Sequence, residues 1–140
     1  MLINYSTKEL ELLARLMRAE ALGEGNLGML LVGNVVVNRT LADCLTFKNL
    51  NCLTDIIYQK NQFSGIKSSL FNGSPTTLEK RLAKRVLAGE FFHPATNSLW
   101  FYCPSNKTSC KSKWYEQNFV GKYKSHCFYN PNFNECQKFH

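Results

Sequence analysis

Glu20 and Glu24 are the side chains of this 140-residue sequence best set to move protons. Glu20 stands where an amphipathic helix wants an apolar residue. Leu10, Leu13, Met17 and Glu20 follow one another in steps of three, four and three, which is one face of a 3.6-residue period. A carboxyl on that stripe, near the helix end, is partly desolvated, and desolvation raises its pKa. A carboxyl that keeps its proton near neutral pH can act as a general acid toward a glycosidic oxygen. Periodicity alone leaves a second reading open, in which Glu20 lies at the stripe edge and reaches solvent or pairs with Arg15 or Arg39. In an unbroken helix, Glu24 would be its neighbour with Cβ atoms about 5–6 Å apart, near the carboxylate separation of a retaining glycosidase. Gly23 interrupts that register, so Glu24 reads as a loop or first-turn residue that orients its neighbours.

The elements that must hold these groups are legible in part. Ser6-Thr7-Lys8-Glu9 is a capping box opening a helix, and Gly23 and Gly25 end it near Leu22. Leu27 to Arg39 reads as a second helix, apolar nearly all round and therefore buried at the centre. Residues 40–53 look irregular, Thr54 is the expected cap of a short helix through Gln59, and Asn61 to Pro75 reads as loop. Thr76-Thr77-Leu78-Glu79 is a second capping box, opening a helix that Gly89 closes. Ser98 to Tyr102 is strand-like, with Tyr123 to Tyr129 as its expected antiparallel partner and a Lys-rich loop between them. The fold class expected is α+β and mostly helical, one domain over residues 1–140 with a small β-hairpin in its last third.

Composition narrows the function less than the motifs do. The chain is 44% hydrophobic and 19% charged, the balance of an ordinary globular domain. Its net charge of +7, concentrated at Lys80 to Arg85 and Lys107 to Lys124, would draw it to polyanions or simply form a solvated face. The first twenty residues carry too many charges for a signal-peptide core, and no apolar run approaches the roughly 20 residues of a membrane span. Neither membrane insertion nor nucleic-acid binding is therefore expected, the latter because base-reading motifs are absent. Six cysteines without C-x-x-C spacing disfavour a zinc ribbon and leave disulfides and buried thiols equally open. His93, His126 and His140 lie in unrelated segments, with no H-E-x-x-H, so no metal and no cofactor is expected.

Longer matches point to a family. Residues 13–25, LARLMRAEALGEG, resemble the signature of the SleB/CwlJ cell wall hydrolases, and Gly28 to Arg39 is similar to that family's second helix. Ile57-Tyr58-Gln59 with Gln62-Phe63-Ser64, then Ser98 to Tyr102, then Lys124 to Tyr129 continue the resemblance in order along nearly the whole chain. It is nearer to the CwlJ type, a bare catalytic domain without a leader, than to the SleB type. The resemblance implies a lysozyme-like or lytic-transglycosylase-like fold, with Glu20 as catalytic acid/base acting on spore cortex peptidoglycan during germination. Cleavage between N-acetylmuramic acid and N-acetylglucosamine would leave 1,6-anhydromuramic ends. It implies synthesis in the mother-cell cytoplasm and deposition in the spore coat at the cortex boundary, where disulfides are permitted. A GerQ-type coat protein and calcium dipicolinate are the further partners it implies. Candidate substrate-binding residues are Glu24, Tyr58, Gln59, Gln62, Phe63, Trp100, Tyr102, His126 and Phe128, each aromatic having plain core packing as its other reading. The rival functions are a hydrolytic muramidase or glucosaminidase, an N-acetylmuramoyl-L-alanine amidase, and a basic coat-assembly module without activity.

Overall fold

The computed structural model describes residues 3–105 and 108–136. Lys107 of the Lys-rich loop and His140 lie outside them. Helix α1 (Thr7–Ala21) begins at the expected capping box: Glu9 N–H donates to Ser6 Oγ at 3.1 Å and Ser6 N–H to Glu9 Oε1 at 3.2 Å. A 3-10 turn over Leu22–Glu24 separates it from α2 (Gly25–Ala42), and Gly25 takes φ +80°, a left-handed backbone that glycine adopts freely. The helical reading of the Val-rich stretch holds, and α2 runs longer than expected. Its Leu31, Val32, Val35, Val36 and Val37 have no exposure at all, which identifies it as the central helix. Each such side chain contributes about 1.5–3 kcal/mol relative to leaving it in water.

Helix α4 (Thr77–Leu87) begins at the second capping box and packs on α1 and α2. A methyl at Gly33 would press on Val86 and on Met17, so this glycine sets how closely the three helices approach. The short helix α3 (Leu53–Ile57) corrects the expected boundary. Cys52, not Thr54, is its N-cap, because Thr54 donates its N–H and hydroxyl to Glu9 Oε2 at 3.1 and 2.9 Å. Glu9 thus caps α1 and moors α3 with one carboxylate. The expected loop from Asn61 to Pro75 contains 3-10 turns at Ser64–Lys67 and Ser69–Phe71. It is stapled to α1 by Arg18, whose guanidinium donates to the carbonyls of Leu70, Asn72, Gly73 and Ser74 and to Glu79.

The C-terminal third is more than a hairpin. Strands β1 (Trp100–Tyr102), β2 (Lys113–Trp114), β3 (Gln117–Tyr123) and β4 (His126–Asn130) form an antiparallel sheet in the order β1-β4-β3-β2. β1 does pair with β4, Phe101 opposite Phe128. The interval read as a Lys-rich loop supplies β2 and β3, whose exposed Lys113 and Lys122 mask the strand alternation. Two buried asparagines of α2 dock the sheet's approach segment. Asn34 bonds Glu90 O and Phe92 N–H, and Asn38 Nδ2 donates to the carbonyls of Ala95, Thr96 and Ser98. Disulfides Cys44–Cys136 and Cys110–Cys127 tie the sheet region to the end of α2 and to itself, while Cys52 and Cys103 are thiols. No helix among the described residues is long and apolar enough to cross a membrane.

Candidate active site

A cleft of about 880 Å³ opens between the end of α1, the 3-10 turn at Ser64–Lys67 and the sheet. The helix register delivers Glu20 to its wall, as the apolar stripe demands. Burial is the largest influence on this carboxyl and raises its pKa. It outweighs a hydrogen bond from the Gly65 backbone and the attraction of His126 and Arg39, all of which act in the opposite sense. Gly65 is glycine for a visible reason: a Cβ there would collide with Glu20 Oε2.

Glu24 lies across the helix break and has the contrary character. Burial would raise its pKa, but Ser125 and His126 hydrogen-bond the carboxylate and hold it below the usual value. Ser125 donates through both its N–H, at 3.0 Å, and its hydroxyl, and His126 Nδ1 lies 2.5 Å from Glu24 Oε1. The turn that links β3 to β4 presents this pair, with Lys124 at φ +49° and its Nζ donating to Glu24 O. Two carboxyls four residues apart are thereby driven to opposite proton affinities.

Arg39 forms part of the cleft floor. Burial depresses its pKa to about 9, against the pull of Glu20 and Tyr115. The guanidinium lies over the rings of Phe47 and Phe63 at 4.7 and 4.6 Å, and donates to Leu99 O and to Gln62 Oε1. Arg15, the other partner considered for Glu20, is engaged elsewhere, donating to Phe71 O over the Phe71 ring.

Of the expected site residues, Glu20, Glu24, Gln62, Phe63, Trp100, Tyr102 and His126 border the cleft. Three do not, and the expectation is corrected for each. Tyr58 follows the end of α3, faces outward with half its surface exposed, and meets Phe71 edge-on. Gln59 spends its amide on Thr46 O at 2.8 Å, holding a loop. Phe128 is buried in a separate cluster with Leu31, Val35 and Ala95. Phe101 covers it from the cleft side, its ring 6.0 Å from Phe128 and 5.2 Å from His126. Phe101, Trp114, Tyr115, Ser125 and Gly65 are cleft residues that sequence reasoning did not select. The strand period of two sets Phe101 on the face opposite Trp100 and Tyr102, so no pattern in the sequence pointed to it. Among the described residues, no three His, Cys, Asp or Glu side chains cluster as metal ligands.

A family profile described as Cell Wall Hydrolase matches residues 23–129. The chain belongs to that family. The cell wall hydrolase CwlJ of Oceanobacillus iheyensis is 47% identical over 135 residues, 96% of this chain and 94% of the relative. Two solved structures share the fold of this cell wall hydrolase, each with a TM-score of 0.71. The catalytic domain of the Bacillus cereus SleB protein is 24% identical, with 91% of this chain and 93% of that one covered. The catalytic domain of the germination-specific lytic transglycosylase SleB from Bacillus anthracis is 23% identical, with 91% and 98% covered. The mostly helical first part and the four-stranded sheet of the cell wall hydrolase are therefore an established arrangement.

Proposed function

We propose that this chain cleaves the glycan strand of spore cortex peptidoglycan as a lytic transglycosylase, with Glu20 as the single acid/base. The observation that carries the reading is the split between the two carboxyls: desolvation raises the proton affinity of Glu20, while Ser125 and His126 lower that of Glu24 and occupy it. A glycan-cleaving acid must hold its proton until the leaving oxygen needs it. Glu20 donates that proton to the glucosamine oxygen as the bond to muramic acid C1 breaks. The developing positive charge on the ring then faces the new Glu20 carboxylate. That carboxylate takes the proton of the muramoyl 6-hydroxyl, whose oxygen closes on C1 to form the 1,6-anhydro ring. Atoms balance without water, and Glu20 ends protonated again.

One acid suffices on this route because the sugar supplies the nucleophile. A double displacement would need a second free carboxylate, and Glu24 is already committed to three hydrogen bonds. The name of the Bacillus anthracis relative, a germination-specific lytic transglycosylase, favours the same chemistry. A role in germination, at the coat–cortex boundary, is proposed with it.

The test is mass spectrometry of products from cortex fragments treated with wild type and Glu20→Gln. Anhydromuropeptides from wild type alone support the reading. Reducing ends carrying one added water, or free stem peptides, would overturn it in favour of a hydrolase or an amidase.

A further inference from the structure

The β2–β3 turn is built against the preferences of its own residues. Trp114 pairs with Gln117, leaving Tyr115 and Glu116 as a two-residue loop with φ +53° and +63°. Both are left-handed, the backbone of a type I′ turn, which ordinarily selects Asn-Gly because a Cβ is disfavoured there. The surroundings hold this conformation firmly. Asn132 Nδ2 donates to Glu116 O at 3.1 Å, Asn132 N–H donates to Gln117 Oε1 at 2.7 Å, and Asn118 Nδ2 donates to Asn132 Oδ1 at 2.7 Å. Cys136, four residues beyond Asn132, is bridged to Cys44 at the end of α2, so the clamp is fixed to the helical half. A strained backbone that its neighbours enforce is a feature of functional segments.

The turn presents Tyr115 at the cleft. The ring borders the cavity that holds Glu20, yet it is 69% exposed, the largest exposure of any large apolar or aromatic side chain there. Its inner edge rests on Trp114, with centroids 5.1 Å apart, and Trp114 stacks on Tyr102 at 4.2 Å, which stacks on Tyr129. An aromatic tier therefore supports one ring that is itself largely exposed, and the phenol is within electrostatic reach of Arg39 on the cleft floor. Pyranose rings carry an apolar C–H face, and a fixed aromatic surface binds it with little loss of side-chain entropy.

The geometry points to Tyr115 as a sugar-stacking residue of the cleft, held over the glycan strand by the enforced left-handed turn. This rests on the glycan-cleaving reading for the class of ligand but not on Glu20 as the acid.

The test uses the full chain and a soluble N-acetylglucosamine–N-acetylmuramic acid tetrasaccharide. Affinity is measured by calorimetry in the Glu20→Gln background, and thermal stability is measured alongside. Tyr115→Phe should bind within threefold of its parent, and Tyr115→Ala about tenfold more weakly. The double variant Tyr115→Asn, Glu116→Gly gives the turn its preferred residues. It should melt at a higher temperature and still bind about tenfold more weakly, a pairing that a merely structural tyrosine would not produce. Unchanged affinity in Tyr115→Ala and in the double variant overturns the assignment. The catalytic reading fails separately, through turnover by Glu20→Gln.

Discussion

His126 donates its Nδ1 proton to Glu24 Oε1 across 2.5 Å, so a carboxylate from the helix break sets the orientation of a histidine from the sheet. An ionised carboxylate can only accept, which places a ring proton on Nδ1. The pair joins the two halves of the fold at the wall of the cleft.

Glu24→Gln puts a donor amide among donors. It should lower unfolding stability by about 2–4 kcal/mol, because a buried network loses its charge and one acceptor. Glu24 has a depressed folded-state pKa, so its contribution is present above the ordinary carboxylate value and is lost as pH falls through the lower folded value. Urea midpoints taken from neutral pH into acid should show wild type and variant converging. A constant gap would contradict the ionised assignment.

Glu20 carries the opposite sign. Its raised pKa means the folded state holds the proton more tightly than the unfolded chain, so stability is greatest below the ordinary carboxylate value and declines as pH rises through the folded value. Glu20→Gln should therefore unfold at a higher temperature than wild type at neutral pH, while turnover falls by roughly 10²–10⁴-fold. The activity of wild type should lose its acid form on the alkaline side, at a pH above the usual glutamate range. Initial rates of cortex digestion across pH, set beside melting curves, check both.

Gly65→Ala directs a methyl at Glu20 Oε2. Relief requires the carboxyl or the Ser64–Lys67 turn to move, at a cost of about 1–3 kcal/mol. Activity should drop far more than the melting temperature does, since a displacement near 1 Å at a reacting group costs on the order of 10²-fold. Gly65→Ala with wild-type turnover would show that the close approach of Gly65 does not set the working position of the Glu20 carboxyl.

Cys44→Ser opens a bridge between residues 92 apart. Loop-closure entropy assigns that link about 4–5 kcal/mol, and Cys110→Ser, whose partners are 17 positions apart, should lose about 3 kcal/mol. Urea unfolding of each variant against oxidised wild type measures the difference. Equal losses would show that chain entropy is not the controlling term.

Local chemistry decided what was readable in the sequence. Ser6-Glu9 and Thr76-Glu79 fix their helix starts with bonds spanning three residues, and the burial of α2 follows from an apolar surface that needs no partner to be recognised. Glu20 was visible for the same reason, a polar residue on a periodic apolar face. Only the tertiary structure decided the rest. The strands β2 and β3 hide in a polar interval because one face of the sheet meets water, and pairing rather than propensity makes them strands. Tyr58, Gln59 and Phe128 fell outside the cleft because the end of α3 and the cover provided by Phe101 set their directions. The meeting of Glu24 with His126, 102 residues away, and the choice of Cys44 for Cys136, depend on how the sheet docks on α2. Contacts closed across such distances leave no periodic trace along the chain, so no pattern within it could have specified them.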